Sequence, residues 1–128
     1  MTSYITGLRL IIRIAFALLL LLGFYMWIMG AEYLRSVHMG LGFVFVILLL
    51  VLAVAGALSG GGIKLAAVTV LWAIVIPVIG VAQLTLLPGE LHWVIRVIHL
   101  LVGIGAMPFA ERLARNILEH DAKAGKPA

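Results

Sequence analysis

Cysteine is absent from the chain and charge is scarce: of 128 residues, only 11% are Asp, Glu, Lys or Arg. The first absence excludes disulfides, thiolate metal sites and cysteine nucleophiles, and it leaves the redox compartment unreadable from thiols. The second excludes a water-soluble fold, because soluble domains carry about a quarter charged residues and need them to cover their surface. No paired carboxylates stand within the membrane, and Glu32 and Glu90 lie at the outer loops. Gly60-Gly61-Gly62 follows no strand, so no nucleotide-binding fingerprint is present. No catalytic set for acyl transfer, phosphoryl transfer or hydrolysis is visible.

What the chain has in abundance is apolar sequence: 65% of residues are hydrophobic and the mean hydropathy is +1.26. A bilayer core of about 30 Å takes about 20 apolar residues as a helix. Four runs meet that length, over about 8–29, 36–58, 64–87 and 90–113. Gly30 and the polar stretch from Glu32 to Ser36 separate the first two, with helix two starting as early as Glu32. Ser59-Gly60-Gly61-Gly62 is a tight turn, and Pro88-Gly89 ends the third run. Pro77 lies inside the third helix, where a missing backbone donor favours a kink. The reading is all-α: a four-transmembrane-helix up-down-up-down bundle over 1–119, extended helically toward Glu119, and a polar, frayed tail over 120–128.

The first run begins after Arg9 and Arg13 and imitates a signal peptide. Its apolar stretch is long for one, and Met29-Gly30-Ala31 is a poor cleavage site, so it reads as a retained span. The formal charge of +4 does not indicate nucleic acid, because the basic residues flank apolar runs and form no patch with aromatics. Arg9, Arg13, Lys64, Arg112, Arg115, Lys123 and Lys126 fall on one side of the membrane, and only Arg35 and Arg96 on or near the other. The positive-inside rule then places both termini in the cytoplasm, as in a bacterial-type inner membrane. The lipid bilayer is the one obligatory partner.

Ionisable groups within spans cost about 2.5–3.5 kcal/mol each on insertion scales and mark sites that need a reason. His38 lies near the outer end of helix two. His92, Arg96 and His99 share one face of helix four, and Gly42 and Gly103 continue the two stripes one turn further in. Helices two and four are diagonal in such a bundle. Inward imidazoles on a diagonal, with glycines beside them, suit a flat tetrapyrrole: imidazole nitrogen ligates haem iron, and glycine permits close approach to a porphyrin face. Arg96 then pairs with a propionate. By helical rise, His92 lies roughly 3 Å and His99 roughly 13 Å below the start of helix four, with His38 roughly 9 Å below its own start. The expected metal ligands are His38 and His99. His92 is the alternative, and otherwise serves a propionate, a second ligand set or a quinone.

With His38 in the second helix and His92-Trp93-Val94-Ile95-Arg96-Val97-Ile98-His99 in the fourth, the chain resembles the broad group of small four-helix membrane b-type cytochromes. Members with two haems show two histidine pairs, whereas three intramembrane histidines here allow one haem by bis-histidine ligation. The resemblance implies haem b and electron transfer with quinone; a larger respiratory or quinone-linked redox complex, or a homo-oligomer, is the expected protein partner.

Other readings stay open at this stage. The histidines alternatively serve as interhelical hydrogen-bonding groups. Met26, Met29, His38 and Met39 offer thioether and imidazole ligands that suit Cu(I), although Met is also ordinary packing material. Gln83 and Thr85 suit a quinone carbonyl or a neighbouring helix. Tyr4, Tyr25, Trp27, Tyr33 and Trp93 fit interfacial belts. Gly56 and Gly60 form a small-xxx-small pair for contact within the chain or between copies, and His120 reads as solvated. As a whole protein, the alternatives are a non-catalytic accessory membrane subunit or a small transporter or proton path without haem.

Overall fold

The structure, a computed structural model, describes residues 2–125. It contains four long helices: α1 (Thr2–Met29), α2 (Arg35–Leu58), α3 (Ile63–Ala82) and α4 (His92–Ala124). Short 3-10 turns over Glu32–Leu34 and Gly89–Leu91 lead into α2 and α4. All four helices are long and apolar enough to cross a membrane. At 1.5 Å per residue, α3 spans about 30 Å and α4 about 50 Å. Large apolar side chains such as Leu10, Leu21, Phe43, Ile47, Leu71 and Leu101 cover the outside of the bundle, as a lipid-facing surface requires.

Consecutive helices pack side by side and α1 closes against α4. Across the diagonals α2 touches α4, while α1 and α3 do not meet. The closest packing lies in the half that carries the termini. There the fully buried Leu49, Leu52, Leu113 and Ile117 are surrounded by small residues: Ala53, Ala66, Ala73, Ala106, Ala110 and Ala114. Small side chains let helices approach closely where lipid supplies no hydrophobic drive for association. Gly56 shows the effect most clearly, because a β-carbon there would stand 2.5 Å from Leu113 Cδ1. Thr69, the one buried polar residue among those described, donates its hydroxyl to the Leu65 carbonyl at 2.9 Å and so presents no bare polar group to the core.

Two links fix this end. Arg9 Nε and Arg13 Nε donate to the Glu111 carboxylate at 2.9 and 2.6 Å, tying α1 to α4. The α2–α3 turn uses positive φ at Gly60 (76°) and Gly62 (115°), which only glycine adopts without strain. Asn116 Nδ2 donates to the Gly61 carbonyl at 3.0 Å. The Gly56–Gly60 pair therefore packs within the chain, against Leu113 and His120.

Three boundaries depart from expectation, the first being the start of α1, at Thr2 rather than near residue 8. The third helix stops at Ala82 rather than Leu87. Beyond it the backbone tightens: Leu84 N–H bonds to the Val81 carbonyl and Thr85 N–H to the Ala82 carbonyl, and Leu87 takes a positive φ of 48° just before Pro88, where helical conformation is disfavoured. The fourth helix, in contrast, continues to Ala124, so residues 120–124 are helical rather than frayed. Its last turns are rich in strong helix formers, and the buried Leu113 and Ile117 anchor them. Lys126 and the rest of the tail lie outside the described residues. Pro77 and Pro108 are accommodated inside α3 and α4 without ending either helix.

Candidate functional site

In the half of the bundle away from the termini, the four helices enclose a cavity of about 230 Å³. Its floor is set by Phe16 and Phe45, whose ring centres lie 6.2 Å apart. Its walls include Leu19, Val46, Ile76 and Leu100, and Glu32, Arg35, His92 and Arg96 are among its charged and polar groups. All six residues singled out from the sequence, His38, Gly42, His92, Arg96, His99 and Gly103, line this one space.

At its centre the imidazoles of His38 and His99 approach across the α2–α4 diagonal. Their ring centres are 6.3 Å apart and their planes cross at 63°. The Nδ1 atoms of both rings are buried and have no hydrogen-bond partner among the described residues. Leaving a buried polar nitrogen unpaired costs about 1–3 kcal/mol, and native structures seldom leave such groups without an explanation. Both nitrogens are covered by protein, His38 Nδ1 lying 3.9 Å from where a β-carbon on Gly23 would stand and His99 Nδ1 3.6 Å from one on Gly80. As hydrogen-bonding groups between helices they have no partners, so nothing in their contacts accounts for their cost as structural residues.

Glycines from all four helices surround the pair. A β-carbon on Gly103 would meet nothing within 4 Å, and one on Gly42 would meet only Leu19 Cδ2 at 4.0 Å, so both positions open onto free space. Gly23 on α1 and Gly80 on α3 do the opposite, because they hold the imidazoles themselves. A β-carbon at Gly23 would lie 3.3 Å from His38 Cε1, and one at Gly80 3.1 Å from His99 Cε1. Sequence reasoning missed both glycines. Counting back from the helix ends, which puts each at the depth of its histidine, was the available signal.

The remaining expected residues divide. Met26, Met39 and Gln83 line the cavity, whereas Met29 is 65% exposed and turned away. No group of three or more His, Asp or Glu side chains gathers at metal-binding distance among the described residues. Thr85 is exposed and its hydroxyl lies against the Ala82 carbonyl at 3.4 Å. Tyr4, Tyr25, Tyr33 and Trp93 are exposed, as belt residues are, but Trp27 turns inward to line the cavity. His120 is exposed, with its ring against the Gly60 turn.

At the mouth, Arg35 donates to Glu32, and Arg96 Nη2 lies 3.7 Å from the other carboxylate oxygen of Glu32. Two guanidinium groups thus share one carboxylate where the cavity meets the loops.

No protein-family model, no curated protein and no solved structure matches the chain. Fold and site together define a class: an all-helical, four-helix protein of membrane-spanning type, with a histidine-lined cavity in one half of the bundle.

Proposed function

We propose that the chain is a haem b-binding integral membrane protein that transfers electrons, working with quinone or within a larger redox complex of a cytoplasmic membrane, its termini on the cytoplasmic side. The observation that carries this reading is the His38–His99 pair. Metal–imidazole bonds of about 2 Å, with roughly 1 Å from each ligating nitrogen to its ring centre, bridge about 6 Å between two rings, which is the separation found. The open faces at Gly42 and Gly103 fit a flat ligand that needs close backbone approach.

In this reading His38 and His99 would hold the haem iron, which would supply one-electron chemistry when bound. Leu19, Val46, Ile76 and Leu100, which line the cavity, would exclude water from around the iron and so tune its potential through low local polarity. Arg96 would pair with the acidic side groups of the macrocycle. Gln83 and His92 offer hydrogen-bonding groups for a quinone head close by. The basic residues Arg9, Arg13, Lys64, Arg112 and Arg115 at the terminal end support the cytoplasmic placement of that end.

The test is a reduced-minus-oxidised visible spectrum of protein expressed with haem supplied. A b-type band lost in both His38→Ala and His99→Ala is expected. A colourless, haem-free protein under those conditions removes the reading.

A further inference from the structure

The chain's own carboxylate stands at the cavity mouth where an acidic ligand edge would sit. Glu32, on the 3-10 turn before α2, accepts a hydrogen bond from Arg35 through Oε2 and lies 3.7 Å from Arg96 through Oε1. Arg96 makes no hydrogen bond among the described residues, and its side chain is about one-third exposed (35%), so its donors are free. Glu32 is half exposed. Ion pairs so open to water are weak and screened, and a carboxylate on a surface turn rotates into solvent with little loss of hydration. Below the mouth the walls are apolar, including Leu19, Val46 and Leu100. A ligand with carboxylates at one edge therefore has one favourable orientation, with that edge against the arginines.

We infer that Glu32 is a displaceable internal counterion. It neutralises Arg35 and Arg96 while the cavity lacks an anionic ligand, gives them up to the carboxylates of a flat apolar ligand, and thereby selects for a ligand with an acidic edge. This rests on the haem reading and adds to it a pair of arginines with a competing carboxylate from the chain itself. Exchange of one carboxylate for another at a guanidinium fork preserves the paired geometry such forks favour. The competition sets affinity and leaves the histidine pair untouched.

The test titrates the full-length protein in lipid nanodiscs with haem and, separately, with haem dimethyl ester, whose carboxylates are masked, following the visible absorbance. Glu32→Gln removes the competitor and is expected to bind haem about threefold or more tightly than the original protein, with binding of the ester unchanged. Arg96→Gln is expected to erase the preference for haem over its ester. Should Glu32→Gln fold poorly, Glu32→Asp, which keeps the charge but shortens its reach, is expected to move haem affinity in the same direction by less. Haem binding that is unchanged or weaker in the Glu32 variants, or an equal gain for the ester, overturns the proposal while leaving the haem reading intact. If the original protein takes up neither porphyrin, both fall.

Discussion

Gly80 on α3 stands against His99 on α4 so closely that a β-carbon there would lie 3.1 Å from the imidazole Cε1. The glycine fixes where the ring sits, since His99 makes no hydrogen bond of its own among the described residues. Gly80→Ala adds a methyl that the ring must avoid by a few tenths of an ångström. Helix propensity favours alanine by about 0.8–1.0 kcal/mol, which offsets the crowding, so thermal stability is expected to change little. If the chain holds haem as proposed, its visible spectrum or midpoint potential is expected to shift. Gly40→Ala is the control, because its β-carbon meets nothing within 4 Å: stability should rise slightly with the spectrum unchanged. Identical spectra from the two variants would show that Gly80 does not position the ring.

His92 lines the cavity but has no place in the ring pair. If the haem reading holds, His92→Ala is expected to retain the b-type band at full intensity while altering kinetics with quinol analogues. Loss of the band in this variant, with His99→Ala unaffected, would transfer the ligand role to His92. Absorbance of the purified proteins at equal concentration decides between them.

At the other end of the bundle, Gly56 lets α2 and α4 pack through Leu113, which is fully buried. Gly56→Val overfills this contact. Overpacking of a dense core costs about 1–3 kcal/mol, and a lower melting temperature in detergent is expected without loss of the histidine site's spectrum. A melting temperature equal to that of the original protein would mean that the two helices are not closely packed there.

Glu111 draws Arg9 and Arg13 together on a partly exposed surface. Glu111→Gln leaves two guanidinium groups facing an uncharged amide. Partly solvated pairs contribute modestly, so a loss of about 1 kcal/mol is expected. The difference from the original protein should shrink in high salt, which screens exposed charges. A loss that persists undiminished at high salt would point to packing rather than charge.

Much of this architecture was legible in the sequence because a bilayer makes simple demands. Length of apolar run, glycine and proline punctuation and basic flanks identified four helices and their order. The pairing of His38 with His99 rather than His92 followed from helical rise counted from each helix start, and the coordinates bring those two rings together. Rotation about the helix axes was not legible. α1 and α3 are apolar nearly all the way round, so no stripe marks the face that meets a neighbour, and neither Gly23, Gly80 nor the inward turn of Trp27 stood out. The early end of α3 depended on backbone bonding around Ala82 and on Leu87 before Pro88, which hydropathy does not register. The length of α4 was underestimated because its polar last turns read as tail, although Leu113 and Ile117 anchor them against the core.

The central claim is that the two facing imidazoles on α2 and α4 hold iron. Electron paramagnetic resonance of the oxidised, haem-loaded protein tests it most directly, since the signal reports the axial ligands. A low-spin ferric signal from two imidazoles is predicted for the original protein, giving way to a high-spin signal or to no bound haem when either His38 or His99 is changed to Ala. A low-spin signal that survives both substitutions, or a protein that binds no haem at all, contradicts it.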